Sequence, residues 1–291
     1  MNEQDSLHRF LFDGSDVRGE WVHLDESWKS LMNNADYPEP VRKVLGEALA
    51  AVALLAATMK FGGSLSMQIS GAGYVNMLVV QATGERTIRG VVHWDKEAES
   101  VPDNVFGEDA RLVMMLDPGE GKERYQGMVV MEGDSVASAL EDYFERSEQL
   151  ATRIWLTADD SSAAGMLLQR MPESAMGDDE AWARLCMLTD TVTNEELLSL
   201  DCNEMLYRLY HEETVRIFEQ ELLSYQCRCS RDSVGNVIVG LGEEEADSII
   251  KDEGAIDVQC EFCNSKYVFD SVDVEGLFRG ATGVDISTRK Q

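Results

Sequence analysis

Six cysteines are the residues of this chain best suited to chemistry, and none occurs before position 186. Four of them form Cys227-Arg228-Cys229 and Cys260-Glu261-Phe262-Cys263, a C-x-C and a C-x-x-C pair with 30 residues between them. Two close pairs of thiolates can be brought round one tetrahedral centre with metal–sulfur distances of about 2.3 Å, and Zn²⁺ is the ion that most favours four sulfurs in a redox-inert role. One Zn²⁺ per chain, on Cys227, Cys229, Cys260 and Cys263, is the expectation. The polar neighbours Arg228, Ser230, Arg231, Glu261 and Asn264 argue against four unrelated buried thiols, and the usual ferredoxin spacings are absent. Four thiolates are also nucleophilic toward oxidants, so the site is a candidate switch. Metal binding supplies on the order of 10 to 16 kcal/mol to small zinc domains. Oxidising the ligands to disulfides would release the ion and leave residues from about Tyr225 to Phe269 without a reason to stay folded. Cys186 and Cys202 fall outside the motif and read as partly buried thiols.

Other chemistry is poorly represented. No G-x-S-x-G elbow occurs, and the four histidines, His8, His23, His93 and His211, are scattered. No catalytic residues are expected, and the chain is not read as an enzyme. Gly71-Ala72-Gly73 lacks the third glycine of a dinucleotide site and reads as a hairpin turn. His211 is near Cys227 in sequence, but four thiolates already complete a site. Two other functions share the cysteine motif. A zinc-ribbon nucleic-acid binder needs a basic face, yet Gly242 to Cys263 holds eight acidic residues against Lys251 alone. A thiol-disulfide oxidoreductase uses C-x-x-C within a thioredoxin-like βαβ context, which the pattern lacks.

The elements that must position the cysteines follow from composition and periodicity. With 25 Lys plus Arg against 54 Asp plus Glu, the net charge of −29 disfavours nucleic acid and anionic membranes as partners. Met1 to Arg9 carries Glu3 and Asp5 and has no signal-peptide core, so cytoplasmic residence is expected. The most apolar run, Ala48 to Met59, is about a dozen residues where a bilayer span needs roughly 20, and it reads as a buried helix. Pro38 and Pro40 open a helical run from Val41 to Met59, which Gly62-Gly63 ends. Short apolar stretches at Leu65–Ile69, Tyr74–Val80, Thr87–Val92, Arg111–Leu116 and Tyr125–Met131 predict strands. After Gly133-Asp134, Ser135 to Glu148 has helical spacing, and Arg153–Thr157 and Gly165–Met171 predict two more strands. The fold class is therefore α+β: a core domain over 1–172, an acidic helical linker over 173–225 and a small Cys₄ zinc domain over 226–291. Between Glu173 and Glu221 stand 13 acidic residues against Arg184, Arg208 and Arg216. Two or three amphipathic helices are predicted there, held only while their apolar stripe, Leu197 to Phe218, is docked. Loss of the zinc fold would remove that docking partner.

The residues as a set resemble the redox-regulated 33 kDa heat-shock chaperone family, the 33 kDa chaperonins. Besides the cysteine pairs, the likeness is carried by His8-Arg9-Phe10, Val17-Arg18-Gly19-Glu20, Tyr37-Pro38, Lys60-Phe61 and Tyr125-Gln126-Gly127. It continues in Leu140-Glu141-Asp142-Tyr143-Phe144, Ser147-Glu148-Gln149-Leu150, Met166-Leu167-Leu168-Gln169, Met171-Pro172 and Arg208-Leu209-Tyr210-His211-Glu212-Glu213. The resemblance implies a cytoplasmic, ATP-independent holdase, inactive while reduced and zinc-bound. It further implies oxidation to the disulfides Cys227–Cys229 and Cys260–Cys263, the second pair first, with zinc release and linker unfolding. The active form implied is a homodimer that binds unfolding client proteins and passes them to ATP-driven chaperones. The chain departs from the family pattern at Gly73-Tyr74, at Ala164-Gly165 and at Ser233 to Gly242, a glycine-containing stretch where the family is more helical. The clients' apolar docking surface is expected either on the core face under the linker or on the linker stripe.

Overall fold

The computed structural model describes residues 5–57, 62–119, 122–133, 135–171 and 179–281. Thr58, Met59, the Lys60-Phe61 motif, Asp134, the Pro172 boundary and the first residues of the expected linker lie outside them. The chain divides into two compact units, residues 1–226 and 227–291.

The first unit is built round α2 (Glu39–Ala56), which has proline in its first turn and is buried without interruption from Ala48 to Ala56. A helix apolar on all sides must be enclosed, and here two antiparallel-dominated sheets enclose it. One sheet has the order β10-β1-β2-β9-β8, from β1 (Ser6–Phe12), β2 (Val17–Leu24), β8 (Thr152–Ala158), β9 (Ala163–Arg170) and β10 (Val215–Ile217), with β11 (Glu221–Leu222) also on β1. The other is β12-β5-β4-β3-β6-β7, from β3 (Ser64–Ser70), β4 (Val75–Thr83), β5 (Thr87–Trp94), β6 (Arg111–Asp117), β7 (Tyr125–Val130) and β12 (Ser224–Tyr225). Gly71 to Gly73 forms the β3–β4 connection, as the hairpin reading expected. The helix expected over 135–148 is α3 (Val136–Tyr143), capped by Ser135, continuing as a π-helical turn over Phe144–Glu148 and ending with Gln149 at φ 56°.

The outer face of the first sheet is apolar and covered. Phe10, Phe12, Val17, Trp21, Met166 and Leu168 point away from α2 and are buried. Covering them are α4 (Asp179–Thr189), α5 (Asn194–Ser199) and α6 (Cys202–Tyr210), through Leu185, Leu197, Met205, Leu206, Leu209 and Tyr210. Tyr210 packs edge-on against Phe12 at 4.8 Å between ring centroids, and its hydroxyl hydrogen-bonds Thr189. His23 Nε2 lies 2.9 Å from the Leu198 carbonyl. Within the first unit, the acidic helices are therefore docked on this sheet. A correction concerns 215–225, expected to be helical. That stretch is three short strands, because unpaired edges on β1 and β5 offer it hydrogen bonds that a lone helix turn cannot match. Phe218 is accordingly exposed rather than part of the docked stripe.

Glu20 on β2 is 2% exposed, and burial pushes its carboxyl up to about 7 against the partial opposition of Arg18 and Arg9. Because the folded value lies above the ordinary 4.5, the folded state holds this proton more tightly than the unfolded chain. The contribution is fully present below about pH 4.5 and is lost as pH rises through about 7. Glu20→Gln is therefore expected to stabilise the reduced chain by up to about 3 kcal/mol at pH values above 7 and to leave it unchanged near pH 4. Urea unfolding of the two proteins at both pH values checks this, and an equal offset at both would contradict it.

Candidate metal centre

The second unit has a sparse core. Its buried apolar side chains are Val234, Ile238, Ala246, Ile256, Phe269 and Val274. They come from α7 (Arg231–Leu241), α8 (Glu243–Glu253), the hairpin β13 (Ile256–Gln259) and β14 (Lys266–Phe269), and α9 (Ser271–Ala281). A core this small needs a staple to stand alone. Arg231 supplies part of one, lying 4.3 Å over the Phe269 ring and pairing with Asp273 at 2.6 Å.

The four motif cysteines could supply the rest by holding a metal ion. Cys227 and Cys229 sit just ahead of α7, whose N-cap Ser230 forms a reciprocal capping box with Ser233. Cys260 and Cys263 sit in the turn of the β13–β14 hairpin, closed by Cys260 N–H donating to the Ser265 carbonyl at 2.9 Å and by Asn264 at φ 57°. All four sulfurs lie within 4.8 Å of one another. Two close contacts run between the motifs, Cys227 to Cys260 at 3.6 Å and Cys229 to Cys263 at 3.3 Å. A tetrahedron with metal–sulfur bonds of about 2.3 Å has sulfur–sulfur edges of roughly 3.8 Å, so the set could hold a metal ion. None of the six cysteines is in a disulfide, and Cys186 and Cys202 are buried in the first unit and are not among the clustered ligands. Burial pushes the Cys186 thiol up to about 11, which makes it a poor nucleophile near neutral pH.

Electrostatics favours a cation at the centre. Burial pushes Cys227 up to about 12 and raises Cys260 as well. Burial acts in the same direction on Cys263, but hydrogen bonds with the Ser265 hydroxyl and backbone, and with Cys229 and Cys227, outweigh it and bring that thiol down to about 6. A bound cation would offset the burial cost at Cys227 and Cys260 and hold all four thiols deprotonated.

Two residues missed by sequence reasoning complete the site. Tyr267 on β14 donates its hydroxyl to Cys229 Sγ at 3.1 Å, and the Ser265 hydroxyl lies 3.3 Å from Cys263 Sγ. Their signal was position alone, two and four residues after the last ligand on a returning hairpin strand. Groups that hydrogen-bond a ligating atom orient it, and losing one typically costs about 10- to 100-fold in metal affinity. Tyr267→Phe is expected to weaken zinc binding by about tenfold at unchanged secondary structure, measured by chelator competition. Unchanged competition would remove Tyr267 from the site. His211 is exposed on the linker and is not among the clustered ligands. The C-x-x-C lies in a hairpin turn and not at the start of a helix in a βαβ unit, and α8 begins with Glu243, Glu244 and Glu245. Neither arrangement favours an oxidoreductase or a nucleic-acid face. No described helix is long and apolar enough to cross a membrane.

Ser233 to Gly242, expected to be less helical, lies within α7 but for its last residue. Gly235 permits a close helix approach there, since a Cβ at that position would lie 2.8 Å from Leu277 Cδ2.

The whole chain has relatives. The family model described as Hsp33 protein matches residues 5–270. A 33 kDa chaperonin of Nitrosococcus oceani is 48% identical over 281 residues, covering 96% of each chain. One from Methylobacillus flagellatus is 45% identical, again over 96% of each. The crystal structure of the 33 kDa chaperonin from Thermotoga maritima superposes with a TM-score of 0.81 at 23% identity, covering 96% of this chain and 99% of that one, which supports the same mixed helix and sheet fold.

Proposed function

The chain belongs to the Hsp33 family of chaperones, and from that premise we propose that it is a redox-regulated, ATP-independent holdase, silent while reduced and zinc-bound. The observation that carries this reading is the gathering of four sulfurs within 4.8 Å in a unit whose described residues include six buried apolar side chains. Zn²⁺, one per chain on Cys227, Cys229, Cys260 and Cys263, would neutralise the thiolates and supply the folding energy that the small core lacks. Cys260 and Cys263 then form one disulfide, passing two electrons to one equivalent of peroxide or hypochlorous acid. Cys227 and Cys229 form the second by passing two more to another equivalent. Each peroxide takes up two protons and leaves as two waters, and each hypochlorous acid takes up one proton and leaves as water and chloride. The within-motif pairing rests on the family resemblance, and all four sulfurs are near enough to exchange partners.

Loss of the four thiolates removes the staple from residues 227–281. The coupling to the linker runs along the chain, since only Gln226 separates β12 from Cys227. Freed of that tether, β12, β11 and β10 lose their anchored end, and the acidic helices release the aromatic face of the first sheet. That face, with Phe10, Phe12 and Trp21, is the client surface we favour. The oxidised chain acts as a homodimer in the cytoplasm, holds unfolding proteins and yields them to ATP-driven chaperones. Catalysis has no part in this scheme.

Light scattering from a thermally unfolding enzyme tests it. Reduced, zinc-loaded protein is expected to leave aggregation unchanged, and protein treated with peroxide at elevated temperature is expected to suppress it. Equal protection in both states would remove the switch, and no protection in either would remove the holdase.

A further inference from the structure

The first unit contains a cavity that the redox reading does not use. It has a volume of about 390 Å³ and lies at the C-terminal end of α2. Leu54, Leu65, Met114, Leu116 and Leu167 give it apolar walls. Arg18 and Glu20 of β2 and Gln169 of β9 form one polar end, and Tyr125, Tyr143 and Glu148 form the other.

The two ends differ in what they leave unsatisfied. Tyr125 and Tyr143 both donate to Glu148 Oε1, at 2.8 and 3.0 Å, so that end is closed on itself. Opposite, Arg18 donates to Gln169 Oε1 at 2.5 Å, and Gln169 Nε2 donates to Thr152 at 2.8 Å, which occupies both ends of the amide. Glu20 Oε2 and Arg18 Nε are buried without a hydrogen-bond partner, and Arg18 Nε lies 3.9 Å from Glu20 Oε1. An acceptor and a donor with cancelling charges therefore stand side by side at one end of the cavity. Leaving buried polar atoms unpaired costs roughly 1–3 kcal/mol each.

That pairing selects among ligand chemistries. A cation would meet the Arg18 guanidinium and an anion the Glu20 carboxylate, whereas a neutral group that both donates and accepts satisfies the two together. With its value near 7, Glu20 is part carboxyl and part carboxylate at neutral pH. An amide suits both forms, accepting from the first and donating to the second. The surrounding frame is unusual: the π-helical turn Phe144–Glu148 and the positive φ of Gln149 bound the cavity on one side. Gly127 lets the Tyr143 ring close over β7, since a Cβ there would lie 2.4 Å from the ring. Segments that carry the family resemblance, Val17–Glu20, Tyr125–Gly127, Leu140–Phe144, Ser147–Leu150 and Met166–Gln169, meet here, in the unit without the zinc motif.

We infer that this cavity is a binding site for a compact neutral ligand, an amide or a group of the same donor and acceptor pattern, at the end of a branched apolar body. The volume sits at the low end of the roughly 300–1,000 Å³ of small-molecule pockets, which suits a small molecule better than a stretch of polypeptide.

The test uses the reduced, zinc-loaded full chain with methyl-labelled leucine, titrated with 4-methylpentanamide. Saturable shifts of the Leu54, Leu65 and Leu167 methyls are expected. Methyl 4-methylpentanoate, which lacks the N–H, is expected to bind at least about tenfold more weakly. Glu20→Leu is expected to erase that preference, Glu20→Gln to retain amide binding, and Leu65→Phe to block both probes by filling the space. The amide–ester comparison on unaltered protein decides the matter even if a variant fails to fold. Equal binding of amide and ester, shifts that do not saturate, or binding of capped tri-leucine without the amide would each overturn the assignment.

Discussion

Replacing Cys260 with serine is expected to abolish metal binding, unfold residues 227–281 and erase the peroxide dependence of chaperone activity. A serine hydroxyl does not replace the thiolate, and three remaining sulfurs leave the tetrahedral set incomplete. Structural zinc in small domains is worth on the order of 10 to 16 kcal/mol, so even partial loss exceeds what a core of six buried apolar side chains stores. The effect is read as zinc content, as loss of amide-exchange protection in β13 and β14, and as protection of an unfolding enzyme without oxidant. The same substitution at Cys186 is expected to change none of these, because that thiol is buried on α4 of the first unit and is not one of the four clustered sulfurs. A Cys260→Ser protein that keeps stoichiometric zinc would contradict the account.

The second large effect is expected at the linker with the cysteines untouched. Met205 and Leu209 lie one turn apart on α6, are 0% and 4% exposed, and face the covered sheet. Met205→Asp with Leu209→Asp would bury two unpaired carboxylates, at a cost of several kcal/mol together. Charge repulsion adds to that cost, since acids such as Glu195 and Glu204 stand on these helices. The reduced variant is expected to retain its zinc, keep the α2-centred core intact and protect clients without oxidant. Zinc assay, exchange protection of β3 and β4, and scattering separate this from global unfolding. A silent variant with undocked helices would move the client surface elsewhere.

The sequence was most readable where one physical signal dominates. The run that became α2 is apolar on every side, so its burial follows from composition, and of the expected span only Thr58 and Met59 lie outside the described residues. The cysteine spacing led directly to four clustered sulfurs, because a hairpin turn and a helix start are local structures. Pairings over long separation were less accessible. β1 and β2 were not recognised as strands, and β2 pairs with β9 about 150 residues away, which no local pattern encodes. The strands β10 to β12 span two or three residues each and exist only because β1 and β5 offer open edges. The glycines of α7 suggested a weak helix, but the capping box at Ser230 and the close approach of Leu277 to Gly235 outweigh their propensity cost. Amphipathic periodicity identified the linker helices correctly and could not name their partner, which periodicity never does. Tyr267 carries no motif, and Glu20 lies in a segment of the family likeness that assigns it no role; both roles are visible only once strands bring them to Cys229 and to Arg18.

The central claim, that four cysteines gate a chaperone by holding a metal, is tested most directly in one cuvette. Scattering from an unfolding client and zinc captured by a chromophoric chelator are recorded together while peroxide is added to the warm, reduced protein. The account predicts that protection rises with zinc release and that a thiol reductant with added zinc reverses both. Full zinc release without any gain in protection, or protection that is complete before zinc leaves, would contradict it.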